Sequence, residues 1–169
     1  MATKRLLLGV LCSLLFLLDN TIRAKNETWC WGDGGFGQLG NGEGDADDTT
    51  NDDLFIYSST SPVQVLGDQS FATVCTGWYH SCALEPPGKA WCWGSNRNGQ
   101  LGTGASSNST VPVEVAGGRA FRSISCGLEH TCALDFEGQA WCWGWNSNGQ
   151  LGTGDKLNSN LRLVQRLCH

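Results

Sequence analysis

The sequence predicts an all-β protein built from short four-stranded sheets stacked face to face. Three observations carry that prediction. Glycine and tryptophan are abundant, 23 and 8 of 169 residues, while charged residues make up only 16%. No window beyond the N-terminus places apolar residues at helical spacing. One pattern of glycine turns and short apolar runs recurs along the chain, the combination that favours strands joined by tight turns.

In chain order, the first element lies outside that pattern. Lys4 and Arg5 precede a largely apolar run of 13 residues, 6–18, and a polar stretch leads to Ala24. A basic start, an apolar middle and a small residue before the cut form the layout of a secretory leader. Residues 1–24 are therefore expected to be a signal peptide and the mature chain to be secreted. An apolar run of this length falls short of the ~20 residues that span a bilayer, so no stable membrane insertion is expected after cleavage. Residues 25–169 carry 8 Lys/Arg and 15 Asp/Glu, a formal charge of −7. That balance disfavours nucleic acid, whose phosphates need clustered basic groups. Asn26 and Asn108 each open an Asn-x-Thr glycosylation acceptor, expected to be used in a secreted chain.

The repeat comes next. Trp91-Cys92-Trp93-Gly94 opens a unit that runs through Gly99-Gln100-Leu101-Gly102, Val111-Pro112-Val113-Glu114-Val115, Phe121, Gly127 and His130-Thr131-Cys132-Ala133-Leu134. It restarts at Trp141-Cys142-Trp143-Gly144, 50 residues on. Upstream, Trp29-Cys30-Trp31-Gly32, Gly37-Gln38-Leu39-Gly40, Pro62-Val63-Gln64-Val65, Gly77 and His80-Ser81-Cys82-Ala83-Leu84 match the same unit. There the interval is 62 residues, because 12 extra, mostly acidic or polar ones precede Ser61.

Each unit reads as four strands, the last two joined as a hairpin by a turn ending in Gly88 or Gly138. In the fourth strand Trp141 and Trp143 take one face and Cys142 the other. A sheet apolar on both faces must be sandwiched between other sheets, as propeller blades are. These residues resemble the regulator of chromosome condensation repeat: the Gly-Gln-Leu-Gly loop, the Pro-Val-x-Val strand, the Gly-x-x-His-Thr/Ser-x-Ala-Leu strand and the Trp-Gly that ends each hairpin. The resemblance covers residues 29–166 and implies a partial β-propeller, about two complete four-stranded blades plus terminal half-blade strands. The units are 29–61 (partial, with an acidic insertion at 43–53), 62–94 and 112–144 (blades) and 145–169 (partial). Propellers close with 4–8 blades, so the chain is expected to self-associate or to belong with further repeats.

Cys12 is expected to leave with the leader, so the mature chain keeps eight cysteines, an even number that reads as disulfides in a secreted chain. Cys82 faces Cys92 across one hairpin and Cys132 faces Cys142 across the next, so these pairs are expected to bond. Cys30, Cys75, Cys126 and Cys168 allow three pairings that sequence does not rank. A zinc site on His80 and Cys82, or on His130 and Cys132, lacks any Cys-x-x-Cys support, and no metal or cofactor is expected. The two histidines recur at one repeat position, which suits a buried hydrogen-bonded ring better than catalysis. The Gly-rich loops lack the Gly-Lys-Ser/Thr of a phosphate cradle, and no nucleophile or metalloenzyme motif occurs. Six carboxylates in residues 43–53 read as a solvated loop, with calcium as the sharper alternative, although the order of ligands in a calcium hand is missing.

The expected function is a non-catalytic, secreted module that binds a protein partner. The resemblance supplies one alternative, the family's founding activity of nucleotide exchange on the small GTPase Ran, with chromatin binding. The leader, the paired cysteines and the negative charge argue against it. A second alternative is an extracellular carbohydrate-binding or structural surface protein, using tryptophans to stack on sugars. The tryptophans lie mainly in strands, which favours core.

Overall fold

The computed structural model describes residues 11–16, 26–44 and 57–163. Among them, strands form three antiparallel sheets. The first sheet holds β1 (Leu11–Phe16), β2 (Asn26–Gly32) and β3 (Ser59–Gln64), in that order. The second holds β4 (Thr73–Thr76), β5 (His80–Glu85), β6 (Lys89–Gly94) and β7 (Ser109–Glu114). The third repeats the second with β8 (Phe121–Cys126), β9 (His130–Asp135), β10 (Ala140–Gly144) and β11 (Ser159–Leu163). The all-β, partial-propeller class expected from the repeat is what the chain adopts.

The repeat units and the sheets are offset. The units 62–94 and 112–144 are not blades, because the Pro-Val-x-Val run pairs backwards with the Trp-Cys-Trp-Gly strand before it. Cys92 stands opposite Val113 and Trp91 opposite Glu114, so the complete sheets span 73–114 and 121–163. The intervening loop makes that return. Buried Asn96 donates its side-chain amide to Thr103 Oγ1 and Ala105 O, accepts the Leu101 N–H, and donates its own N–H to Asn108 Oδ1. Asn146 makes the equivalent bonds to Thr153, Asp155, Leu151 and Asn158. The terminal strands are not stray either: β11 completes the third sheet, and β1 and β3 flank β2.

The first of these pairings departs from the sequence expectation. Leu11–Phe16, read as part of the leader, forms a strand against β2 with Cys12 opposite Cys30, the register in which Cys82 stands opposite Cys92. β1 also lies against β4 as β5 lies against β8. It therefore fills the place of β5 in the first sheet. A largely apolar run suits a strand packed in a sheet as well as it suits a leader.

The core lies between the sheets. Cys30, Leu39, Val65, Phe71, Ala83 and Trp93 pack the first seam. In the second, Trp143 and Phe121 from the third sheet meet Cys82, Leu84 and Cys92 of the second, with Leu101 beneath. The Gly-Gln-Leu-Gly loops hook one sheet to the next: Gln38 O accepts from Ser81 Oγ and from Trp93 Nε1, each within 2.9 Å. Gly102 (φ +66°) shows why glycine is required there, since a Cβ would stand 2.9 Å from Trp143 Nε1.

Candidate functional site

Chemistry-bearing side chains gather at two places, the seam between the second and third sheets and the loop face at one end of all three. In the seam, His80 is fully buried and its Nε2 lies 2.9 Å from Thr131 Oγ1. The Thr131 hydroxyl donates to Gln100 O at 3.0 Å, so it accepts from Nε2–H and leaves the lone pair on Nδ1. Burial, and secondarily the charge of His130, push the His80 pKa down to about 3. Burial also lowers that of half-exposed His130. His80 thus sits as a neutral ring binding two sheets together.

Four disulfides are present among the described residues. Cys82 is bonded to Cys92 and Cys132 to Cys142, the two hairpin pairs that the spacing suggests. Cys75 is bonded to Cys126, tying inner strands β4 and β8 of neighbouring sheets. Cys12 is bonded to Cys30, although the leader reading removes Cys12; Cys168 lies outside the described residues. The Cys75–Cys126 bond has a sequence rationale that was missed. Counted from the shared Gly77 and Gly127, Cys75 is two residues upstream and Cys126 one. A one-residue offset puts them on opposite faces of equivalent strands, and opposite faces of adjacent blades are the ones that meet.

Of the proposed acceptors, Asn26 is the first residue of β2. Asn108 is half-buried and holds the Asn96 N–H through Oδ1, so it has a structural task whether or not it carries a glycan. The acidic insertion lies outside the described residues beyond Gly44.

The loop face was not singled out by sequence reasoning. Strands β4 and β5 are joined by Gly77-Trp78-Tyr79, which bonds across to the next sheet, the Trp78 N–H donating to Leu128 O at 3.0 Å. Trp78 is 38% exposed and stacks on Tyr79 at 5.1 Å and 8°. Tyr79 meets Phe36 edge-on at 4.9 Å, and the Arg97 guanidinium caps Phe36 at 5.4 Å. Leu128, 57% exposed, continues the row. The rim tryptophans differ. Trp91 lies under Lys89 at 4.5 Å and donates to Glu85; Trp141 lies under Arg119 at 3.8 Å and donates to Asp135. Burial alone would raise the Asp135 pKa, but the bonds from Trp141 and Gln139 and the Arg119 charge hold it below the usual carboxylate range. Those indole faces are occupied by cations, whereas Trp78 is stacked on a tyrosine and exposed. A cavity lined by Thr28, Val65, Leu66 and Phe71 is about 10 Å³, room for a single water.

The chain matches the Regulator of chromosome condensation (RCC1) repeat over residues 25–84, 87–134 and 137–164. It belongs to that family. A second RCC1 repeat description matches residues 71–100 and 121–150. Among curated relatives, the ultraviolet-B receptor UVR8 of Arabidopsis thaliana is 34% identical over 54% of this chain and 19% of its own length. Human alsin is 35% identical over 46% of this chain and 4% of its own. The chain thus spans a fifth or less of these relatives. Among solved structures, Prp20p of Saccharomyces cerevisiae, whose binding to Gsp1p and histones has been described, superimposes with a TM-score of 0.71 at 19% identity. That match covers 92% of this chain and 36% of Prp20p. Human WBSCR16 gives 0.66 at 23%, covering 91% and 37%. Both likenesses concern the fold: this RCC1-repeat chain reproduces about a third of a propeller.

Proposed function

We propose that this RCC1-repeat chain is a secreted, non-catalytic module that binds a protein partner through its loop face. The observation that carries the reading is exposed Trp78 stacked on half-buried Tyr79, buttressed by Phe36 and Arg97 and extended by Leu128. Rigid aromatic anchors beside an arginine are the composition of protein-contact centres. Adjacent exposed apolar groups on otherwise polar loops mark interaction sites. Secretion rests on the leader-like start and on the cysteine pairs, whose persistence needs an oxidising compartment.

Exchange on a small GTPase is the second reading, supported by family membership. A photoreactive phenylalanine at position 78, and another at Phe136 on the hairpin turns at the opposite end, separates the possibilities in culture medium. Crosslinks to one protein from position 78 and none from 136 are expected. Crosslinks from both ends alike, or capture only of glycans from position 78, would overturn the reading. Accelerated nucleotide release from a small GTPase by the purified chain would favour the second reading instead.

A further inference from the structure

Register places an unusual set of donors in the seam between the second and third sheets. Cys75 stands opposite Cys82, and Cys82 opposite Cys92, so three sulfurs on adjacent strands share the face that meets the third sheet. Cys126 reaches them from the other side through its bond to Cys75. His80, two residues from Cys82, takes the same face. A ring nitrogen of His80, Cys82 Sγ and Cys126 Sγ lie within 4.8 Å of one another. The His80 ring is fully buried, with Nδ1 lacking any hydrogen-bond partner. By contrast, the equivalent row in the third sheet holds Ser125, Cys132 and Cys142, with two sulfurs and, among the described residues, no facing cysteine.

We propose that this seam is a redox-gated metal site: oxidised, its sulfurs form two disulfides; reduced, they and His80 bind Zn²⁺. Imidazole and thiolate are the donors zinc prefers, and Zn–S bonds of about 2.3 Å put tetrahedral ligand atoms about 3.8 Å apart. The observed spacing closes to that with a small side-chain shift. Reduction gives each disulfide two electrons and two protons from a dithiol reductant, releasing Cys75, Cys126, Cys82 and Cys92 as thiols. His80, Cys82 and Cys126 supply three ligands and the freed Cys75 or Cys92 the fourth, each ligating thiol losing its proton as the ion enters. Reoxidation by a disulfide oxidant takes back two electrons per bond and expels the ion.

The test uses the full chain reduced anaerobically with a phosphine, with Co²⁺ as the probe and Zn²⁺ as competitor. The reduced protein is expected to take up one Co²⁺ per chain with thiolate charge-transfer and tetrahedral d–d bands, which Zn²⁺ abolishes; the oxidised protein takes up none. Reduced C75S/C126S is expected to bind at least tenfold more weakly, while reduced C132S/C142S binds as the parent does. Near-ultraviolet circular dichroism on the same samples reports whether the seam stays packed. Absence of the bands in the reduced parent overturns the proposal. So does equal binding by the two double variants, which would show an opened chain scavenging metal through any of its thiols.

Discussion

The Cys75–Cys126 bond is the covalent link between complete sheets, and removing it has a calculable consequence. It closes a loop of 51 residues, against 10 for the hairpin bond Cys82–Cys92. Chain entropy then assigns about 4 kcal/mol to the first and about 3 kcal/mol to the second. Both Cys75 and Cys126 are half-buried, so alanine leaves little enclosed void there and the loss reports mainly on the cross-link. A loss of that size is a large fraction of the 5–15 kcal/mol by which domains are stable. Urea unfolding of C75A/C126A under non-reducing conditions should show it. The slope of free energy against urea should also rise, because an unlinked chain exposes more surface when unfolded. A loss below about 1 kcal/mol with an unchanged slope would refute the reasoning; it would mean that packing at the seam, and not the covalent bond, holds the sheets together.

Two further perturbations test the seam and its loops. The unfolded chain protonates His80 near 6.5, whereas the folded chain holds it neutral down to about 3. Its contribution is therefore full above pH 6.5 and is lost as pH falls, by about 2 kcal/mol at pH 5. H80Q should lack that loss, and parallel declines of parent and variant between pH 7 and 5 would contradict the assignment. Gly102 and Gly104 both take positive φ, +66° and +81°, but a Cβ at Gly102 meets Trp143 while one at Gly104 meets nothing within 4 Å. Gly104→Ala should cost about 1 kcal/mol for its backbone alone, and Gly102→Ala distinctly more by thermal unfolding. Equal costs would show that the loop does not press on the tryptophan.

What the sequence made legible follows from what a repeat encodes. Recurrence of Trp-Cys-Trp-Gly and His-x-Cys-Ala-Leu gives the period and strand type, because alternation and turn glycines act locally. It gives no phase, since a cyclic unit can be cut anywhere. The Val111–Val115 run therefore reads as the start of the next sheet, whereas the bonds of Asn96 fold the loop back and pair it with the strand before. The hairpin cysteines were readable from their spacing across a turn. The bond between sheets depended on a one-residue offset between Cys75 and Cys126, which is meaningful only once adjacent faces are known to meet. Trp78 was missed because the residues between Gly77 and His80 vary between repeats and carry no motif. Its exposure comes from sitting on a turn, outside the strands that bury Trp93 and Trp143.

The apolar start of the chain admits two readings that exclude each other, and a single measurement decides between them. As a strand, residues 11–16 complete the first sheet and Cys12 occupies Cys30. As a leader, they are cut away after Ala24, β2 loses the strand on one side, and Cys30 loses its bonded partner. The secreted reading predicts the second outcome: a mature N-terminus at Lys25 and a Cys30 thiol that no hairpin partner protects. Cys30 is fully enclosed beside Trp93 in the intact arrangement, so loss of β1 should raise its reactivity from nil to measurable. Intact mass and alkylation of protein from culture medium, without reduction, are expected to show a chain beginning at residue 25 with label at Cys30. Alternatively, Cys30 would be joined to Cys168, which lies outside the described residues. A recovered chain that keeps residues 1–24 and a Cys12–Cys30 linked peptide would show that the apolar run is structural, and secretion by this leader would have to be abandoned.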